Sequence, residues 1–234
     1  MNNQWLCLIL TTTLGLAGCG SSSDKTSSDT EGDTRFRVTL NTSWNATDYP
    51  TNYPSNAHWS PLSGTVHNEQ IVFWEADGQP STSGIESMAE TGSTGALSTE
   101  INVGKNAGYS QGLIKTSSIG QGTGSTSIEF LTNESYPLLT LVSMIAPSPD
   151  WFVGVNSLSL LDNNGDWIDS QTINLELFDA GTDAGLRFTS ANDESNQLSL
   201  PITLVSSERS DSDFENGVNH SSETYVATLV IERI

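Results

Sequence analysis

Apolar and polar residues in this 234-residue chain alternate over short stretches that end in turn-forming residues. A period of two is typical of half-buried β-strands. The stretch Phe36–Leu40 has this pattern and predicts the first strand. No long stretch repeats with the period of 3.6 that an amphipathic helix needs, which argues against a fold of alternating strands and helices. The pattern predicts an all-β protein, an antiparallel β-sandwich.

Seven further stretches are predicted as strands, and one as a short helix. The helix is expected over Ile85–Thr91, following Gly84. Gly104–Ser127 is rich in Gly, Ser and Thr, so we expect one or two strands with a long exposed loop and no domain boundary there. The other predicted strands are Ile71–Trp74, Ser127–Leu131, Leu138–Ile145, Val153–Leu160, Ile168–Phe178, Ile202–Val205 and Tyr225–Ile231.

The N-terminal segment has the features of an export signal. Trp5–Gly18 is apolar or small and uncharged, which suits the apolar region of a signal peptide and is too short for a transmembrane helix. It ends in Leu-Ala-Gly before Cys19, the pattern that precedes lipoprotein processing. We therefore predict a lipoprotein signal peptide over residues 1–18 and lipid attachment at Cys19. Met1–Gln4 lacks the usual basic residues, and an ordinary secretory signal with an incidental cysteine is the alternative.

Residues 19–34 are mostly Ser, Asp and Thr and predict a flexible tether ahead of a domain over residues 35–234. Gly20 follows Cys19 where an aspartate would signal inner-membrane retention, which favours the outer membrane of a Gram-negative cell. The predicted location is the cell envelope, with the protein held at the membrane through lipidated Cys19. The two cysteines, Cys7 and Cys19, both precede the domain, so it has no disulfide.

The charge balance restricts the partners. The chain has 28 acidic and 8 basic residues and a net charge of −20. Such a surface repels nucleic acid and anionic lipid headgroups, because it has no basic stripe to replace their counterions. It favours divalent cations. Most of these carboxylates are expected to serve only solubility.

Three aspartates lie in segments that we expect to converge at one end of the sandwich. Asp150 precedes a predicted strand, and Asp179 and Asp183 follow another. Gly181 and Gly185 allow the backbone to turn tightly around the second pair. Loops from neighbouring strands gather at one end of a sandwich, which would bring the three carboxylates together.

Carboxylates this close repel one another, and a hard dication removes the conflict. Calcium prefers carboxylate and carbonyl oxygens, whereas the absence of cysteine from the domain and the small number of histidines argue against zinc or copper. The alternative is that Asp179 and Asp183 only cap turns through side-chain hydrogen bonds. The residues alone leave both interpretations open.

Several short sequence motifs resemble motifs of the N-terminal domain of spondins and occur in the same order. The resemblance covers roughly Thr34 to Ile234, nearly all of the predicted domain. The motifs are His58-Trp59-Ser60-Pro61-Leu62 with His67, Trp74 onward to Ser83-Gly84, Ala89-Glu90-Thr91-Gly92, Pro147-Ser148-Pro149-Asp150-Trp151-Phe152-Val153-Gly154, and Asp179-Ala180-Gly181-Thr182-Asp183-Ala184-Gly185.

The resemblance implies an antiparallel β-sandwich related to C2 domains, with a calcium ion held by Asp150, Asp179 and Asp183. It also implies a domain of secreted matrix and adhesion proteins with no known catalysis. The chain departs from the animal pattern in having no cysteine near the turn at residues 162–167. We therefore expect a membrane-anchored, calcium-binding, non-catalytic binding or adhesion module whose partner is a surface protein or a glycan.

Two other functions stay open. An envelope glycan hydrolase would need only one suitably spaced pair among the many carboxylates. A purely structural envelope lipoprotein would need no ligand. His58 and His67 are expected to be hydrogen-bonded structural residues, and most tryptophans are expected to pack in the core instead of forming a sugar-stacking platform. The oligomeric state is not determined by the sequence.

Overall fold

The computed structural model of the chain describes residues 32–193, 200–205 and 225–234. The predicted signal peptide, Cys19 and almost all of the tether lie outside the described residues, so these stay predictions. The strands are β1 Thr34–Ser43, β2 His58–Trp59, β3 Ser63–His67, β4 Ile114–Lys115, β5 Thr123–Thr132, β6 Leu138–Ala146, β7 Trp151–Ser159, β8 Ser170–Leu175, β9 Leu177–Asp179, β10 Thr203–Leu204 and β11 Ala227–Arg233.

The strands form two antiparallel sheets packed face to face, which confirms the predicted β-sandwich. One sheet has four strands in the order β5-β1-β11-β8. The other has seven, in the order β10-β9-β7-β6-β3-β4, with β2 paired to β6 beside β3. The main core lies between the sheets and is filled by aromatic and aliphatic side chains such as Phe36, Trp59 and Trp151.

The first strand shows how the alternating pattern positions the core. Phe36, Val38 and Leu40 are fully buried, while the residues between them are only half-buried. β1 pairs with β5 from Thr34↔Thr132 to Ser43↔Thr123 without a register shift, and with β11 on its other side. Because the side-chain period of a strand is two, this register places every apolar residue of β1 on the core face.

The central strand β6 is buried on both faces. Leu139, Leu141 and Ile145 face the four-stranded sheet. Val142 and Met144 face the opposite way, into a second core cluster beneath two helices. The seven-stranded sheet is therefore covered on both sides at β6, which explains why this strand is mostly apolar, interrupted only by Thr140 and Ser143, and does not alternate.

The two helices, α1 Ser83–Thr91 and α2 Gly95–Asn106, form the outer layer over this second cluster. The Thr82 hydroxyl accepts the Ile85 N–H at 3.3 Å and caps the start of α1, and Gly92 with φ 67° ends it. The predicted short helix is confirmed as α1, whereas α2 was not predicted. Neither of the helices in the described part of the chain is long and apolar enough to cross a membrane.

Two strand predictions need correction. Ile71–Trp74 is not a strand: it has no ladder partner, and Ile71, Phe73 and Trp74 pack in the second cluster while Val72 is exposed. The strands that pair with β6 are β2, β3 and β7, none of which includes residues 71–74. Ile168–Phe178 is not one strand but two, because β8 pairs with β11 in the four-stranded sheet and β9 pairs with β7 in the other.

Candidate metal site

The three predicted aspartates meet at one end of the seven-stranded sheet. Asp150 immediately precedes β7, and Asp179 is the last residue of β9. The two strands are paired, with Trp151 opposite Asp179, and the Ala180 N–H donates to the Asp150 carbonyl at 3.1 Å. Strand pairing therefore fixes the separation of the two backbones, as the convergence of loop ends in the sequence predicted.

The Asp150 carboxylate is buried and only half satisfied. Its Oδ2 accepts the Thr182 N–H at 2.8 Å, the Asp183 N–H at 3.1 Å and the Thr182 hydroxyl at 3.3 Å. Its Oδ1 is also buried and has no hydrogen-bond partner in the described part of the protein. A buried polar atom without a partner is costly and uncommon, so this oxygen marks a place where a positive group would stabilise the fold.

The other two aspartates each form a side-chain turn with the residue two positions later. Asp179 Oδ1 accepts the Gly181 N–H at 2.8 Å, and Asp183 Oδ1 accepts the Gly185 N–H at 2.6 Å. Both side chains are nearly buried, with 7% and 5% exposed. These hydrogen bonds are the turn caps that the alternative interpretation expected, but they do not explain why three mutually repelling carboxylates are buried at one end of the sheet.

The pKa of Asp150 reflects its burial and the repulsion from the neighbouring carboxylates. Burial, followed by repulsion from Asp179, raises the pKa of Asp150 from 3.8 to about 7, although the hydrogen bonds from Thr182 and Asp183 act in the opposite direction. The Asp183 charge adds a smaller repulsion. Burial and charge repulsion therefore extend the pH range in which the Asp150 carboxyl is neutral to near neutral pH.

A cavity of about 440 Å³ opens beside the aspartates, and its lining includes Asp179, Asp183 and Thr203. Within residues 32–193, 200–205 and 225–234, no three His, Cys, Asp or Glu side chains form a ready-made metal-binding group. A metal here would therefore need backbone or water oxygens as well as carboxylates. Calcium accepts such mixed oxygen sets, whereas zinc does not favour them.

The glycines in this segment are required by space and by backbone conformation. Gly181 has φ 73°, and a Cβ on it would lie 2.5 Å from the Leu200 carbonyl oxygen. A Cβ on Gly185 would lie 2.8 Å from Pro149 and 2.9 Å from Asp183 Oδ1. The tight turns expected from the sequence are present, and they press the segment against the Asp150 loop.

Sequence reasoning missed two participants. Thr182 binds Asp150 through both its N–H and its hydroxyl, and its position between two of the aspartates was a usable signal. The Asp193 N–H donates to Asp183 Oδ2 at 3.2 Å, and its carbonyl accepts the Ala184 N–H at 3.0 Å. Nothing in the sequence around Asp193 indicates this contact, because it depends on the path of the intervening loop.

The remaining candidates are structural. His67 is buried, with its ring nitrogens 2.7 Å from the Thr140 hydroxyl and 2.9 Å from the Asn68 carbonyl, and burial lowers its pKa. His58 contacts the Asn56 carbonyl at 2.7 Å. The tryptophans at 44, 59, 74 and 151 are buried, as predicted, and cannot form an exposed sugar-stacking platform.

Comparisons with known proteins find the same family that the sequence motifs resemble. The family model described as Spondin_N matches residues 34–221. The chain is 37% identical to Spondin-2 of Homo sapiens over 137 residues, which are 58% of this chain and 41% of that protein. It is 30% identical to Spondin-1 of Rattus norvegicus over 183 residues, which are 76% of this chain and 22% of that protein. The chain thus spans less than half the length of these relatives.

Proposed function

This chain belongs to the spondin N-terminal domain family, and from that premise we propose that it is a non-catalytic binding or adhesion module stiffened by calcium. The module acts outside the cytoplasm, anchored to the envelope membrane through lipidated Cys19, and its partner is a surface protein or glycan.

The observation that carries the calcium proposal is the buried Asp150 Oδ1 without a partner. Asp150, Asp179 and Asp183 would hold the ion, with backbone carbonyls and water completing its oxygen shell. A dication neutralises the repulsion that raises the pKa of Asp150 and gives the orphaned oxygen a ligand. The acidic donor set and the absence of cysteine from the described residues favour calcium over softer metals.

Calcium would act by joining segments that are distant in the chain. Asp150 belongs to the β6–β7 connection, and the segment 179–185 follows β9. With the ion bound, these segments and the hydrogen bond from Asp193 to Asp183 form one rigid loop surface. A surface ordered before contact loses less entropy on binding a partner, which is the advantage of a structural ion in an adhesion module.

Thermal unfolding of the domain with calcium and with a chelator tests this proposal. At a free calcium concentration one hundred times the dissociation constant, binding stabilises the folded state by about 2.7 kcal/mol. For a domain of this size we expect the melting temperature to rise by about 5–10 °C. Asp179→Ala should remove most of the rise, because it deletes one of the three carboxylates.

Asp162→Ala is the matched control. Asp162 also caps a turn, accepting the Asn164 N–H at 2.8 Å, but it is exposed and lies beyond the opposite end of β7 from Asp150. This variant should keep the full calcium-dependent rise whatever its own melting temperature. Identical melting curves of the unmodified domain in calcium and in chelator would refute the calcium proposal.

A further inference from the structure

A second candidate binding surface lies on the helical layer. An open cavity of about 350 Å³ is lined by the segment Ile71–Phe73, by Thr82 at the start of α1, and by Glu100 and Val103 of α2. We call this cavity and its smaller neighbour the α2 groove. The neighbour, of about 170 Å³, shares Val72, Phe73 and Thr82 with it and is lined further by Trp74, Glu75, Gln79 and Pro80.

The groove exposes apolar side chains that the fold does not use. Val72 and Val103 are 55% and 65% exposed, the highest values among the large apolar residues of the described structure. Phe73 is 3% exposed and forms part of the wall. Isolated apolar residues are normal at a surface, but two of them around one concave site form a place for an apolar group.

The walls of the groove are fixed by hydrogen bonds. Glu100 accepts the Gly84 N–H at 2.7 Å and the Thr82 hydroxyl at 2.8 Å, which ties α2 to the start of α1. Between Glu75 and Gln79, which line the smaller cavity, the Asp77 N–H donates to the Ile202 carbonyl at 2.7 Å and so holds this part of the chain in place. A cavity with such walls exists before any ligand arrives, so little ordering entropy opposes binding.

The charge of the groove selects its occupant. Glu100 lines the larger cavity and Glu75 the smaller, and none of the described residues that line either cavity is basic. Each Glu100 oxygen has one hydrogen bond and can accept another. The chain as a whole carries a net charge of −20, so it repels acidic ligands and a second copy of itself and attracts cations.

We propose that the α2 groove binds an extended peptide segment of a partner protein that presents an aliphatic or aromatic side chain flanked by lysine or arginine. The apolar side chain enters between Val72 and Val103, and the flanking cations contact Glu100 and Glu75. This inference deepens the proposed binding function by naming a site and a partner chemistry, and it does not depend on calcium.

The test is a titration of the isotope-labelled domain, followed by amide NMR, with three synthetic peptides. The probe is Gly-Lys-Leu-Lys-Gly; Gly-Lys-Ser-Lys-Gly lacks the apolar group, and Gly-Glu-Leu-Glu-Gly reverses the charge. We expect the first peptide to shift the Val72 and Val103 amides saturably and the other two to bind at least tenfold more weakly. Equal binding of all three, or no shift with the first, would overturn the proposal.

Variants locate the site. Val103→Ser should weaken the first peptide about tenfold through lost apolar contact. Glu100→Gln and Glu75→Gln should each weaken it about fivefold. Glu75 is exposed, so its variant tests the proposal even if Glu100→Gln disturbs the cap of α1. Glu232→Gln, on the four-stranded sheet, is the charge-matched control and should bind like the unmodified domain.

Two outcomes separate this inference from the calcium proposal and from self-association. A domain that keeps its calcium-dependent melting but binds no peptide would refute peptide binding in the α2 groove and leave the calcium proposal intact. Concentration-dependent shifts of the Val72 and Val103 amides without peptide would assign the groove to a second copy and refute the peptide proposal. Binding that is unchanged by Val103→Ser and Glu75→Gln would also refute it, because the peptide would then lie elsewhere.

Discussion

The buried Asp150 carboxyl makes the stability of the metal-free domain depend on pH in an unusual direction. In the unfolded chain its pKa returns to about 3.8, whereas in the folded protein burial and the charge of Asp179 raise it to about 7. Between these values the folded state binds the proton that the unfolded state has lost. The free energy of unfolding therefore falls as the pH rises from about 4 to about 7.

The size of the effect follows from the two pKa values. Each tenfold difference in proton affinity corresponds to about 1.36 kcal/mol, so the pKa change from 3.8 to about 7 corresponds to about 4 kcal/mol. For a domain of this size, that loss lowers the melting temperature by about 8–16 °C. The proton of the neutral form belongs on Oδ1, since Oδ2 already accepts three hydrogen bonds.

Urea unfolding of the metal-free domain at a series of pH values measures this loss. Asp150→Asn is the control, because the amide oxygen can accept the Thr182 and Asp183 N–H groups while its NH₂ imitates the protonated Oδ1. The contributions of charges remote from Asp150 are the same in both proteins and cancel in the difference. Parallel pH profiles for the two proteins would refute the reasoning. Saturating calcium should restore most of the lost stability above pH 6, since it favours the ionised carboxylates.

Two further predictions concern the fold and the anchor. Gly64→Ala should destabilise the domain by about 3 kcal/mol in urea unfolding, because its Cβ would collide with the Thr140 carbonyl and lie 2.9 Å from the Leu141 Cα. Gly120→Ala is the control: no atom lies near the new Cβ, so it should change stability by less than about 0.5 kcal/mol. Cys19→Ser in the full-length chain should move the protein from the detergent phase to the aqueous phase in Triton X-114 partitioning, and an unchanged distribution would argue against lipid attachment at Cys19.

Much of the sandwich was predictable because its strands have the patterns that sheets require. Phe36–Leu40 alternates, and Leu138–Ile145 is a long apolar run with turns on both sides. Ile71–Trp74 was wrongly predicted as a strand because a run of four apolar residues also occurs in connecting segments that pack against a core. The helix α2 escaped prediction because its buried face has only three residues, set among Gly, Ser and Thr, which favour helices weakly.

The candidate site was predictable for a different reason. Asp150 and Asp179 lie at strand ends, and antiparallel pairing brings such ends together without any knowledge of side-chain contacts. The orphaned oxygen and the raised pKa of Asp150 were not predictable, because both depend on the exact depth of burial. The contact between Asp193 and Asp183 likewise depends on a loop conformation that no periodicity encodes.

The position of β1 between β5 and β11 has a consequence for how the chain reaches its folded state. Residues 34–43 obtain one neighbour from residues 123–132, but the other comes from residues 227–233. A chain that emerges from a ribosome or a translocation channel starting at its N-terminus therefore cannot complete this sheet until the final strand has emerged. Until then one edge of β1 stays unpaired, so the four-stranded sheet is the part of the fold that closes last.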